Sequence, residues 1–95
     1  MSNWPFTNSP NLGVITLQQF VLQNAPILHV CHDADDGAWQ FLGLENPSVG
    51  ETTVVSLQKV VTLDPSITEL ADLPLGWHAW RRAASDPWNR EPMLN

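Results

Sequence analysis

Residues 26–42 read PILHVCHDADDGAWQFL, and their reading decides the fold. Pro26 suits the first position of a strand, where no ladder donor is needed. From Ile27 the side chains alternate. Ile27, His29, Cys31 and Asp33 share one face, and Leu28, Val30 and His32 share the other. The ADDG that follows is turn chemistry, because aspartate tolerates turn geometry and Gly37 supplies a positive φ. AWQFL is the return strand, with Trp39 and Phe41 together on one face. The spacing predicts a β-hairpin with strands over 27–32 and 38–42.

Upstream, residues 1–13 hold prolines, asparagines and small hydroxyl residues around Trp4 and Phe6. They read as an extended arm that orders only if its two aromatics dock on the body. Leu17, Phe20 and Val21 then recur at helical spacing behind Thr16, a residue able to cap. A short helix is expected over Leu17–Gln23, with Asn24 in the left-handed end position and Pro26 preventing continuation. The branched Val14 and Ile15 allow a strand as the alternative.

Downstream, 43–51 is a polar loop and 53–57 a strand. QKVVTL reads as either a helical turn or more strand. Asp64 caps a helix over 65–72 with Pro65 in its first position, and Pro74 marks its stop. Residues 77–81 form a further strand, with Trp77 and Ala79 on one face and His78 and Trp80 on the other. The tail, 85–95, reads as loop with Trp88 as an anchor. The expected architecture is one α+β domain over 14–84, an antiparallel sheet of about four strands with two short helices packed on it. The expected core is Phe20, Val21, Leu28, Val30, Trp39, Phe41, Val54, Leu57, Val60, Ile67, Leu70 and Trp77.

Composition narrows the class. Ninety-five residues make one domain with a modest core, and a hydrophobic content of 43% suits a globular chain. No apolar run approaches the ~20 residues needed to span a bilayer. The start MSNWPFTNSPN carries neither the basic nor the apolar region of a secretory signal. A single cysteine cannot close an internal disulfide, which fits a reducing cytoplasm and predicts a cytoplasmic protein.

Charge is uneven. The net is −6, and no Lys or Arg precedes Lys59. Residues 1–58 carry −5 through Asp33, Asp35, Asp36, Glu45 and Glu51, while residues 59–95 carry −1. Such a field repels nucleic-acid phosphates and anionic membranes and attracts a basic protein surface. The plainer role of the same charge is solubility.

The candidate sites are few. His29, Cys31 and Asp33 are able zinc ligands, but a strand lays them in a row ~7 Å apart, whereas a tetrahedral site collects donors from separate elements. A calcium loop counted from Asp33 fails, with Gly37, Ala38 and Leu44 at its fifth, sixth and twelfth positions. Cys31 beside His32 resembles a dyad, but strand neighbours point to opposite faces. GWHAWRRAASDPWNR mixes three tryptophans with Arg81, Arg82 and Arg90. With four bases in all, base stacking is a poorer reading than a core tryptophan pair with arginine covering its edges. No G-x-G-x-x-G, P-loop, G-x-S-x-G or C-x-x-C occurs, so no catalytic set and no cofactor is expected.

DDGAWQFLGLEN is similar to the D-S-G-W-x-F-x-x-G-x-E stretch of a small bacterial domain family. Its members are grouped by gene neighbourhood with the immunity proteins of polymorphic toxin systems, the immunity-protein-33-like group. Asp36, Gly37, Trp39, Phe41, Gly43 and Glu45 are the matching positions, with Ala38 standing between Gly37 and Trp39. VVSLQKVVTLDPSITELADLPLG resembles the family's later strand followed by a D-P-x-I motif. The likeness spans about residues 26–81. The basic segment often seen before the family's turn is replaced here by HVCHDAD, and the tryptophan-rich tail is not a family feature. The resemblance implies an α+β domain that neutralises a toxin, and it carries over no functional residue.

Three functions follow as expectations. The first is an acidic protein-binding domain whose Asp33, Asp35, Asp36, Glu45 and Glu51 meet a basic toxin. The second is a metal or enzymatic domain using His29, Cys31, His32 and Asp33. The third is a homodimer formed through a Trp80- and Trp88-bearing surface.

Overall fold

The computed structural model describes residues 4–23, 25–45, 48 and 50–93. Six strands form one mixed sheet: β1 (Gly13–Leu17), β2 (His29–His32), β3 (Trp39–Leu42), β4 (Thr52–Ser56), β5 (Trp77–Trp80) and β6 (Asn89–Pro92). Their order across the sheet is β4-β1-β3-β2-β5-β6. All neighbours are antiparallel except β1 and β3, which run parallel with Thr16 beside Phe41. The helical pieces are α1 (Gln18–Gln23), α2 (Leu57–Leu63) and a 3-10 helix (Pro65–Leu70).

The α+β class holds, but the expectation of about four antiparallel strands is corrected to six in a mixed sheet. The two additional strands come from segments whose local signals point elsewhere. GVITL is rich in branched residues, yet its apolar spacing runs on through Phe20 and Val21 and imitates one continuous helix. Thr16 is not a cap. It is buried in β1, and its hydroxyl donates to the Phe41 carbonyl at 2.9 Å. α1 therefore starts one residue later than expected, directly from the end of the strand. Asn24, expected to end that helix, lies outside the described residues. The tail, expected as loop, contributes β6, an exposed strand containing a proline. A proline is admissible there because β6 is an edge.

The hairpin forms, but its strands are shorter than the expected 27–32 and 38–42, and Ile27, which precedes β2, is buried in the core instead of sharing the His29 face. Gly37 sits at φ 72°. Its N–H donates to the Asp33 carbonyl, and the Asp33 N–H donates to the Ala38 carbonyl. QKVVTL resolves as helix α2, since the Ser56 hydroxyl accepts from the Lys59 N–H at 3.1 Å. Asp64 caps the next element as expected, accepting from the Ser66 N–H. That element is a 3-10 helix, its turns closed by bonds such as Ile67 N–H to the Asp64 carbonyl.

One face of the sheet makes the core. Val14, Val30, Trp39, Phe41 and Ala79 bury against Phe20 of α1, Leu57 and Val60 of α2, and Ile67, Leu70 and Leu73. Phe6 docks here as well, meeting Trp39 edge-on with ring centroids 5.4 Å apart. Most of the expected core is found there. Val54 is the clear exception at 68% exposure, because it sits on the opposite face of an edge strand. Val21 and Leu28 are half-buried, and Trp77 packs against the core from a half-buried position.

Arg81 was not expected in the core, yet it is 2% exposed. Its guanidinium donates to the Ile27 and Ala84 carbonyls and to Asp64 Oδ2, and lies 4.1 Å over the Trp88 ring. Every edge of the fork is satisfied, which is how a charge is tolerated inside. The expected arginine–tryptophan contact is present, but over the ring of the single Trp88 and not at the edges of a core tryptophan pair.

Candidate functional site

The opposite face of the sheet collects the residues with chemical potential. Strand alternation places His29, Cys31 and Asp33 there from β2, Gln40 from β3, His78 and Trp80 from β5, and Glu91 from β6. Cys31 is 8% exposed, and the others are half-buried or open.

Register brings Cys31 opposite His78, and His78 opposite Glu91. His29 Nε2 lies 2.9 Å from His78 Nδ1, and Cys31 Sγ lies 3.6 Å from the same Nε2. His78 Nε2 faces Glu91 Oε1 at 3.6 Å. One ring donates and the other accepts across the histidine pair, in the direction set by their tautomers. Trp80 lies against His78 with ring centroids 5.1 Å apart.

The electrostatics disfavour charge on His29 and on Cys31. Burial, and then His78 beside it, hold the His29 imidazole below its usual value. Burial, and then the Asp33 carboxylate, push the Cys31 thiol up to about 11. At neutral pH only roughly one molecule in ten thousand carries the thiolate at such a value. A catalytic cysteine needs the reverse, a thiolate favoured by a positive neighbour. Cys31 is a buried thiol beside His29 and not an activated nucleophile.

The metal reading fares little better. His29 and Cys31 approach more closely than a bare strand row suggests, because both side chains lean together. Asp33 does not join them. Its Oδ2 accepts from Gln40 Nε2 at 2.7 Å. Among the described residues no group of three His, Cys, Asp or Glu side chains is placed to hold a metal ion. His32 is on the core face, stacked on Trp39 with ring centroids 3.9 Å apart, where Nδ1–H donates to the Leu73 carbonyl at 2.7 Å. Cys31 and His32 are thus separated by the sheet, as alternation predicts.

The five acids named from the sequence form two patches. Asp33, Asp35 and Asp36 cluster at the turn between β2 and β3, with Asp36 Oδ1 accepting from the Ala38 N–H. Glu45 and Glu51 lie beyond the other end of β3, with Glu51 Oε1 accepting from the Ser48 N–H. The four residues of β3 separate the patches, about 13 Å of strand. Each patch borders a hollow with apolar walls. Asp36 edges one of about 520 Å³ that also holds Leu12, His32 and Leu75. Glu45 and Glu51 edge one of about 440 Å³ walled by Phe20, Pro26, Leu28 and Leu44.

The three tryptophans of the C-terminal third do not form one surface. Trp77 faces the core, Trp80 the open face, and Trp88 packs under Arg81. The histidine pair was missed from sequence because His78 joins His29 only through the β2–β5 pairing. No helix among the described residues is long and apolar enough to cross a membrane. Comparison with protein-family models, with curated proteins and with solved structures finds no match.

Proposed function

We propose that this chain is a small acidic protein-binding domain that captures a basic protein, in the manner of an immunity protein neutralising a toxin. The observation that carries the reading is the pairing of each acidic patch with an apolar-walled hollow. A lysine or arginine from a partner needs both, a carboxylate for its head and apolar surface for its stem. Asp36 with Leu75 provides this at the turn, and Glu45 and Glu51 with Phe20 and Leu28 provide it at the far end.

The charge balance supports the same reading. Two of the four bases are held internally, Arg81 by Asp64 and Arg90 by Asp72. Of the patch acids, Asp35, Asp36, Glu45 and Glu51 are exposed. The resemblance of residues 26–81 to immunity-protein-33-like domains adds the class of partner, and a cytoplasmic setting suits such a role.

The test is capture from source-cell lysate with the tagged wild type and with a chain carrying Asp33→Asn, Asp35→Asn and Asp36→Asn. The wild type is expected to retain a basic protein at low salt and release it at high salt, with the variant associating at least tenfold more slowly. A partner held equally by both chains at both salts would remove the electrostatic basis.

A further inference from the structure

The two edges of the sheet are built differently. β6 carries Arg90, Glu91 and Pro92, and charge and proline are what natural edges use to refuse another strand. β4, at the opposite edge, reads TTVVS and has neither. Its outward backbone groups can be identified from the ladder. The Leu57 N–H donates to the Leu12 carbonyl, and the Gln18 N–H donates to the Glu51 carbonyl. Bonded residues alternate along an antiparallel pair. Thr53 and Val55 therefore bond inward to β1, while Thr52 and Val54 aim their N–H and C=O groups away from the sheet.

Apolar side chains flank that edge on both sides. Val54, 68% exposed, stands on the open face. On the other face a groove of about 220 Å³ runs beside the strand, lined by Gln18, Val21, Leu22, Thr53 and Val55. Leu22 on its wall is 77% exposed. Outward main-chain groups, without a strand partner among the described residues, and apolar contacts for alternate side chains are the components of strand addition.

We infer that β4 pairs antiparallel with β4 of a second copy, joining two six-stranded sheets across a two-fold axis through Val54. The strand is self-complementary. It is uncharged along its length, so the net charge of −6 per copy is kept out of the contact. The antiparallel register sets Thr52 against Ser56 of the second copy and carries Glu51 of each copy to the start of α2 in the other. Lys59 lies there, one of the bases not held by Asp64 or Asp72. The guarded β6 edge stops growth, so assembly closes at two copies and forms no filament.

The experiment is sedimentation velocity over a concentration series, with amide hydrogen exchange at its two ends. The 10.6 kDa chain is expected to rise to twice its mass and stop there. The Thr52 and Val54 amides should become at least tenfold better protected as it does so. Val54→Lys should remain at one copy with an unchanged circular dichroism spectrum. Val54→Pro, which removes an outward N–H without removing a bond to β1, should do the same. A wild type that stays single at every concentration overturns the inference, as it would if the edge received a strand of a different protein. So does a dimer that Val54→Lys leaves intact, or a mass that grows past two copies.

Discussion

Arg81 Nη2 stands 2.8 Å from Asp64 Oδ2, and this pair ties the cap of the 3-10 helix to the end of β5. Asp64 spends its other oxygen on the Ser66 N–H and hydroxyl, so one carboxylate starts a helix and neutralises a buried cation. Arg81→Ala strands that carboxylate and takes the donor from the Ile27 and Ala84 carbonyls. Breaking a buried pair from one side costs about 3–5 kcal/mol. Urea unfolding of Arg81→Ala should show a loss of that size with an unchanged slope. A loss below about 1 kcal/mol, the range of an exposed pair, would mean the guanidinium contributes like a surface charge.

Cys31 gives the alkaline limb of stability. Its thiol stands at about 11 in the folded chain against an ordinary 9.0. The folded form therefore holds a proton that the unfolded form has released. Stability is fully present below pH 9 and is lost as pH rises from about 9 to 11. Cys31→Ala should flatten this slope. At pH 8 a thiol reagent should label the native protein about a hundredfold more slowly than the unfolded chain, from thiolate fraction alone. Equal rates in native buffer and in urea would contradict the burial of Sγ.

His29 acts on the acid side. Burial and the neighbouring His78 lower its proton affinity, so the unfolded chain binds the proton first as pH falls. The associated stability is present above the ordinary value of 6.5 and is lost as pH drops through the lower folded value. Titration of the imidazole resonances by NMR should place His29 below 6.5, and His29→Gln should weaken the loss of stability that sets in as pH falls through 6.5. A His29 resonance that titrates above 6.5 would show the pair to be charged instead.

Much of the local structure is legible in the sequence, and the reasons are physical. The 27–42 hairpin has alternation, a turn glycine and aromatics on one side, all pointing to one answer. Asp64-Pro65 marks a helix start in the same redundant way. β1 is different. Thr16 and Leu17 satisfy a helical and an extended pattern equally, and pairing with Phe41 and Thr53, distant in the chain, decides between them. The burial of Arg81 is not legible, because its acceptors at Ile27 and Asp64 lie far upstream. The candidate site follows the same division. That His29, Cys31 and Asp33 share a face is local alternation, whereas the approach of His78 and the separation of the two acidic patches are properties of strand order.

Strand order also governs how the sheet can be assembled in time. β4 touches the rest of the sheet only through β1, and β1 has no neighbour adjacent in sequence. The segment made first must therefore wait for both flanks, the nearer of its partners lying 25 residues downstream at Phe41. Contacts of that span close late and slowly. Until they close, the β3-β2-β5-β6 part of the sheet presents the bare edge of β3 where β1 belongs. Folding of this chain is thus a race between its own first strand and any foreign one for the same place.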